Sequence, residues 1–444
     1  MRTHPRASCN GSALARWAGQ PSTRRLRRLP PPPWQQQHRG RQTRSPCSPD
    51  AQAPRPDRKF EARAFPTTLI VAAALLGGAS YHLFAPAGRP ATLNQDTFVP
   101  YAITGRDVIS PASVLLTVRP RRRDTAPPYL TPGPEARWKH ALWSVEFKQP
   151  ELQIARHYTP LPARDGHDDD DDDDDARAGT LRFYVRAVAG GEMSSYLGRL
   201  PVGSDVHLRG PHAGFDVLRR LGARRRVVFL AGGTGIVPGM QVARAVLDAD
   251  AGADVQILWA VRSAGEVRAA AGAGEDAAAP WPPRRGFWGG AARPADLTPG
   301  MEGATAIAAE LQALQARYGD RLAVRVAVDE LRTRFTAGDV QSAVGRGGST
   351  PAAGSGRACK LHDQLLHQQA TELEPAAMPC RCAPASSPGK NLFIVSGPEG
   401  FVAHYAGQKI WRDGVLTQGP VGGVAAQLQR ENASFANDWL VLKL

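Results

Sequence analysis

One segment constrains the fold more than any other: Val227-Val228-Phe229-Leu230-Ala231, followed at once by Gly232-Gly233-Thr234-Gly235. Five apolar residues in a row suit a strand buried on both faces, which a sheet with helices on each side provides. The glycines end that strand, and Gly233-x-Gly235 lets the chain turn tightly and approach a phosphate. A helix is predicted next, because Met240, Ala243, Val246 and Leu247 recur at helical spacing. Pro238 falls in its opening turn, where a missing N–H costs nothing. The loop is no P-loop, since no Gly-Lys-Ser/Thr follows, and no full Gly-x-Gly-x-x-Gly is present. A tight turn without a ligand is the competing reading.

The rhythm set by that segment continues. Val255 to Val261, Leu322 to Val328 and Leu392 to Val395 read as further strands. Ile307, Leu311, Leu314 and Tyr318 form the buried face of a helix that stops near Gly319, and a helical stretch runs from Glu399 to Trp411. Alternating strands and helices predict a parallel doubly wound α/β sheet. Ahead of it, Ser113 to Val118, Leu142 to Phe147, Leu181 to Val188 and Asp205 to Leu208 alternate apolar and polar residues between Pro, Gly and Asp. Such runs predict an antiparallel β barrel of roughly six strands.

The 444 residues are not all core. Ten Arg and no acid stand in residues 1–49, so much of the net charge of +14 belongs to a tail. This weakens a nucleic-acid reading, which needs a basic face on a folded module. An Arg-rich, acid-poor segment over 1–63 predicts mitochondrial targeting, a plain disordered tail being the alternative. No charge lies between Arg63 and Arg89. Residues 66–86 therefore predict a single transmembrane helix, with a buried helix of a soluble domain as the alternative. Arg55, Arg58 and Lys59 precede the span. Positive charge stays inside, which places the N-terminus in the matrix and residues 90–444 in the intermembrane space.

Five scattered Cys without a Cys-x-x-Cys pair exclude a disulfide scaffold and a zinc ribbon, and no metal site is expected. Asp168 to Asp175 is a solvated insertion that lacks the glycine and spacing of a calcium loop. Residues 264–300 and 344–390 read as disordered or lid-like insertions, the latter carrying Cys380 and Cys382.

Three more motifs carry chemistry. Arg156-His157-Tyr158-Thr159-Pro160 offers a fixed fork of donors suited to a pyrophosphate, beside an aromatic ring with a hydroxyl. Gly191-Glu192-Met193-Ser194-Ser195-Tyr196-Leu197 reads as a helix start able to receive an anion, or as a simple Ser cap. Ser396-Gly397-Pro398-Glu399-Gly400-Phe401 follows the late strand.

In this order the motifs resemble the ferredoxin–NADP reductase superfamily, in particular its cytochrome-b5 reductase branch, over residues 98–262 and 300–415. The resemblance implies an FAD-binding barrel over 92–220 and an NAD(P)H-binding domain over 221–444. It implies that Arg156, Tyr158 and Thr159 hold FAD, and that Gly191, Met193 and Ser194 take its phosphates. Gly232, Gly233, Thr234 and Gly235 would receive the pyrophosphate of NADH or NADPH. Gly397 and Pro398 would shape the nicotinamide pocket. Ser396 stands where the family usually has a Cys facing the nicotinamide, so Ser396 and Thr159 are the catalytic candidates. Glu266 would favour NADH through the ribose 2′-OH, while Arg262 and Ser263 would favour the 2′-phosphate of NADPH; both readings stay open. The chain also resembles fungal mitochondrial flavoproteins that assist cytochrome c maturation, and residues 419–423 and 438–444 are expected to belong to that group. This implies haem, cytochrome c or haem lyase as the electron acceptor. A cytochrome-b5 reductase, or a non-enzymatic assembly factor on a decayed reductase fold, are the alternatives.

Overall fold

The computed structural model describes residues 93–121, 142–163, 179–269, 293–345, 389–412 and 414–444, all within the unit Gly78–Leu444. The expected targeting segment 1–63, the expected span 66–86, Asp168 to Asp175, Cys380 and Cys382 lie outside the described residues, as do 270–292 and 346–388 of the two expected insertions. Among the described residues, no helix is long and apolar enough to cross a membrane.

Alternating side chains build a first, antiparallel sheet. Its strands are β1 (Val99–Ser110), β2 (Ser113–Pro120), β3 (Trp143–Gln149), β4 (Ile154–Tyr158), β5 (Leu181–Arg186) and β6 (Asp205–Ala213). They lie in the order β4-β3-β6-β1-β2-β5. Along β3, Val145, Phe147 and Gln149 are buried while Ser144, Glu146 and Lys148, which alternate with them, are only partly so, the period of a strand with one face on a core. Tyr101, Leu116, Phe147, Phe183 and Leu208 fill that core, with Phe147 and Phe183 edge to face at 4.8 Å. A short helix, α1 (Glu192–Arg199), adds Met193 and Leu197 to it. Gly210-Pro211 lies inside β6 and carries a cis peptide bond.

After α2 (Val217–Leu221) the second sheet begins. It comprises β7 (Arg226–Gly232), β8 (Asp254–Val261), β9 (Ala295–Asp296), β10 (Leu322–Val328), β11 (Asn391–Ser396) and β14 (Trp439–Lys443). The order is β14-β11-β7-β8-β10-β9, parallel except for the two-residue β9. The apolar run in β7 is explained by its two faces. Val227, Phe229 and Ala231 join a core with α3 (Ile236–Ala249) and α4 (Ala306–Tyr318). Val228 and Leu230 join another with α5 (Ala337–Gly345), α6 (Glu399–Ala406), α7 (Gly423–Glu431) and α8 (Ala433–Asp438).

The helix expected to reach Trp411 stops at Ala406. Gly407, at φ +91°, ends it in a conformation that favours glycine. Residues Ile410–Arg412 then form β12, paired antiparallel with β13 (Val415–Thr417). The chain's last strand, β14, is buried along its whole length beside β11. Its Lys443 is buried, and the ammonium donates to the carbonyls of Gln408, Gln418 and Pro420.

Candidate functional site

The glycine loop is one 3₁₀ turn, Gly233–Gly235, between β7 and α3. Gly233 has φ +55°, the left-handed region that other residues rarely adopt. Gly235 packs so closely that a Cβ there would stand 2.5 Å from the carbonyl oxygen of Ser396. The neighbouring Gly232 lies against the Phe401 ring and Pro398, at 3.0 and 3.2 Å from its own would-be Cβ. Parallel pairing of β7 and β11 sets Ser396 opposite Ala231. Two motifs far apart in the chain thereby become one surface, with Ser396 buried, Gly397 half-buried and Pro398 exposed. Trp259 on β8 steadies the loop by donating from Nε1 to the Gly233 carbonyl at 3.0 Å. Thr234 is half-buried at the loop's crest.

Arg156, Tyr158 and Thr159 stand on or just after the edge strand β4. Pairing with β3 sets Arg156 opposite Phe147 and Tyr158 opposite Val145, so the two share one face. Arg156 is exposed, and its guanidinium reaches the Ala155 carbonyl at 2.8 Å. The Tyr158 ring meets Phe147 edge to face at 5.3 Å. Burial pushes its hydroxyl up to about 12, with Arg156 pulling the other way. The phenol is therefore a proton-bearing donor throughout the neutral range. Thr159 is half-buried beside it.

The Gly191 motif opens α1 as expected, but its side chains are committed elsewhere. Met193 is buried in the first sheet's core. Ser194 Oγ donates to the Gly191 carbonyl at 3.2 Å and accepts from the Val188 N–H at 3.1 Å. An anion at this turn would be met by backbone N–H groups.

Glu266 requires a correction. It is 1% exposed, accepts a hydrogen bond from Tyr184 at 3.0 Å and pairs with Arg186 at 3.0 Å. Buried against β5, it is not placed to meet a ribose. Of the three cofactor-choice candidates, Arg262 is exposed and Ser263 half-buried. The Arg186 guanidinium that Glu266 holds lies 3.5 Å from a Cβ built on Gly233, so it brings a positive charge to the glycine loop.

Gln241 was not singled out by the sequence. It sits on α3, buried, and accepts from the Trp143 N–H at 3.1 Å while donating to the Pro160 carbonyl at 2.8 Å. The helix that leaves the glycine loop thus grips the residue that follows Thr159. A lone amide within a helix otherwise buried among apolar residues was the available signal.

Residues 140–216 match the oxidoreductase FAD-binding domain family. Over 128 residues the chain is 30% identical to the cytochrome c mitochondrial import factor of Saccharomyces cerevisiae, covering 28% of this chain and 34% of that protein. Over 123 residues it is 28% identical to NADH-cytochrome b5 reductase 1 of Pyricularia oryzae, covering 26% and 34%. The match thus spans about a third of either relative. The cytochrome b5 reductase domain of Ulva prolifera nitrate reductase aligns over 79% of this chain and 99% of that one, at 15% identity and a TM-score of 0.40.

Proposed function

We propose that this chain, which contains an FAD-binding domain of the oxidoreductase family over residues 140–216, is an NAD(P)H-dependent flavin oxidoreductase that passes electrons to haem or a haem protein. The observation that carries the reading is the close contact of Gly232–Gly235 with Ser396-Gly397-Pro398, beside a helix whose Gln241 holds Pro160 of the Arg-x-Tyr-Thr motif. Residues 92–220 act as the flavin barrel and 221–444 as the nucleotide domain.

The residues present fit both cofactors. Arg156 offers charge-assisted bonds to a pyrophosphate, and Tyr158 an apolar ring with a donor hydroxyl. Thr159 adds a hydroxyl at the strand end, while Gly191 and the backbone of Met193 and Ser194 receive phosphate oxygens. Gly232, Gly233, Thr234 and Gly235 let a second pyrophosphate approach the backbone, and Arg186 complements its charge. Gly397 and Pro398 shape the nicotinamide pocket with Ser396 at its base. Bound there, a flavin supplies hydride acceptance and one-electron release. The protein's part is alignment and exclusion of water, and no acid–base pair is required of it.

The likeness to a mitochondrial import factor for cytochrome c, with the Arg-rich residues 1–63 and the uncharged residues 66–86, supports a further step. The protein is anchored by 66–86 in the mitochondrial inner membrane, faces the intermembrane space and reduces haem before its attachment to apocytochrome c by haem lyase. A second reading, NADH–cytochrome b5 reductase, is favoured by the likeness to the Pyricularia oryzae enzyme.

The test is the visible spectrum of the purified protein without oxygen, before and after NADH and then NADPH. Flavin bands that bleach support the reductase, and the more effective nucleotide identifies the donor. Bands that persist indicate a flavin binder without hydride transfer and point to Ser396. No flavin sinks the reading and leaves a non-enzymatic assembly factor. Haemin and cytochrome b5, offered in turn to the reduced protein, separate the two acceptor readings.

A further inference from the structure

We infer that Glu146, His157 and His212 form a site for a zinc-class divalent metal ion, on the face of β4 opposite Arg156 and Tyr158. The three come from three adjacent strands. His157 on β4 pairs with Glu146 on β3, and His212 on β6 pairs with Ser144. Their candidate ligand atoms all lie within 4.8 Å of one another. His157 Nε2 is 3.4 Å from Glu146 Oε1, and His212 Nε2 is 3.5 Å from Glu146 Oε2. Donors about 2.0–2.1 Å from a tetrahedral ion stand roughly 3.3–3.4 Å apart; each His–Glu distance approaches that, to a different carboxylate oxygen, and the set draws in from its 4.8 Å limit to close on one ion.

The orientation of the rings supports the same assignment. His157 Nδ1 meets Ser144 Oγ at 3.1 Å, which turns Nε2 toward the carboxylate. His212 hydrogen-bonds the Arg209 backbone. Its Nε2 is buried without a hydrogen bond, so Nδ1 makes that bond and Nε2 is left to face Glu146. Metal-bound histidines are held this way, with the outer nitrogen tied to a hydroxyl or carbonyl. Arg209 bonds Glu146 Oε2 through Nε at 2.7 Å and Nη2 at 2.5 Å, fixing the carboxylate and leaving Oε1 as donor.

Two imidazoles and one carboxylate oxygen suit zinc, copper, nickel or cobalt. Calcium and magnesium need more oxygen donors than the three residues supply. Glu146 and His212 are each 14% exposed and His157 35%, so an ion can enter from solvent and keep water as its fourth ligand. Since β4 is an edge strand, an ion gripping His157 would also hold Arg156 and Tyr158 in place. That coupling rests on the flavin reading above; the metal site does not.

The experiment uses the full-length protein, without a polyhistidine tag, stripped with a chelator and titrated with Co²⁺ and then Zn²⁺. One equivalent of Co²⁺ should give the visible bands of a four-coordinate site, and Zn²⁺ should abolish them. His212→Gln and Glu146→Gln should each weaken binding more than about 100-fold, beyond the roughly 10–100-fold cost of losing an outer-shell partner. Ser144→Ala, which keeps every ligand, should fall inside that range. His207→Gln, on the same strand as His212 but outside the cluster, should leave binding unchanged. The inference is overturned if the wild type takes up no Co²⁺, or if His157→Gln/His212→Gln binds it with unchanged stoichiometry and spectrum. Flavin absorbance read in parallel separates the two proposals: metal binding without flavin removes only the coupling to FAD.

Discussion

Arg156 is exposed on an edge strand, and its reach to the Ala155 carbonyl does not commit it to the protein's own packing. Arg156→Ala should therefore cost little stability and much flavin. Loss of hydrogen bonds to a charged partner, about 1.5–3 kcal/mol, weakens binding roughly 10- to 100-fold. Bound FAD per protein, read from absorbance, checks this, and unchanged flavin content would contradict the role. Gly235 carries the opposite kind of constraint. A methyl group there meets the Ser396 carbonyl at 2.5 Å, so Gly235→Ala must push β7's loop away from β11. Reduction by NAD(P)H should slow while FAD is kept, as rapid mixing under anaerobic conditions would show. Normal reduction in that variant would detach the loop from the nucleotide. The glycines themselves were legible in the sequence. Their partner was not, because nothing near residue 235 in the chain points to residue 396.

At the scale of single elements, most strands and helices follow from local period. The five apolar residues of β7 and the spacing of Ile307, Leu311, Leu314 and Tyr318 on α4 carry their burial openly. The helix end at Ala406 was missed because Ile410 recurs four residues after Ala406, at helical spacing, while Gly407 breaks the backbone. Helix α5 shows what sets a start. Thr336 N–H and Oγ bond Asp339 Oδ2 at 2.9 and 2.7 Å, and Thr336 Oγ accepts the Asp339 N–H at 3.2 Å, a reciprocal cap. Burial alone would raise the Asp339 carboxyl, but the Thr336 bonds and Arg325 outweigh it and hold the group below its ordinary range. A carboxyl lowered in the folded state stabilises fully above its unfolded value near 3.9, and that contribution fades as pH falls toward the folded value. Asp339→Ala should thus lose about 0.5–2 kcal/mol at neutral pH. Denaturant melts should show the gap from wild type narrowing below about pH 4. A gap that stays constant with pH would mean the cap, not the charge, carries the effect.

Across the whole molecule, contacts between the two sheets decide whether the motifs work together. Gln241 satisfies the Trp143 N–H and the Pro160 carbonyl, and Tyr184 and Arg186 on β5 converge on Glu266. Gln241→Leu keeps the side chain's bulk and strands both backbone groups, each costing about 1–3 kcal/mol if no water replaces the amide. The melting temperature should fall, and reduction by NAD(P)H should slow although no residue of the glycine loop has changed. A lower melting temperature with unaltered reduction would make Gln241 a stabilising residue alone. The sequence by itself determined the classes of the two sheets and the strand–glycine–helix unit. Those properties live in periods of two and about 3.6 residues and in the backbone freedom of glycine, which neighbours along the chain express. Only the tertiary structure decided that Gly235 meets Ser396, that Glu266 is buried with Arg186, and that Glu146, His157 and His212 converge on one point. These are contacts between strands and loops distant in the chain, fixed by sheet order and register, which local pattern does not encode.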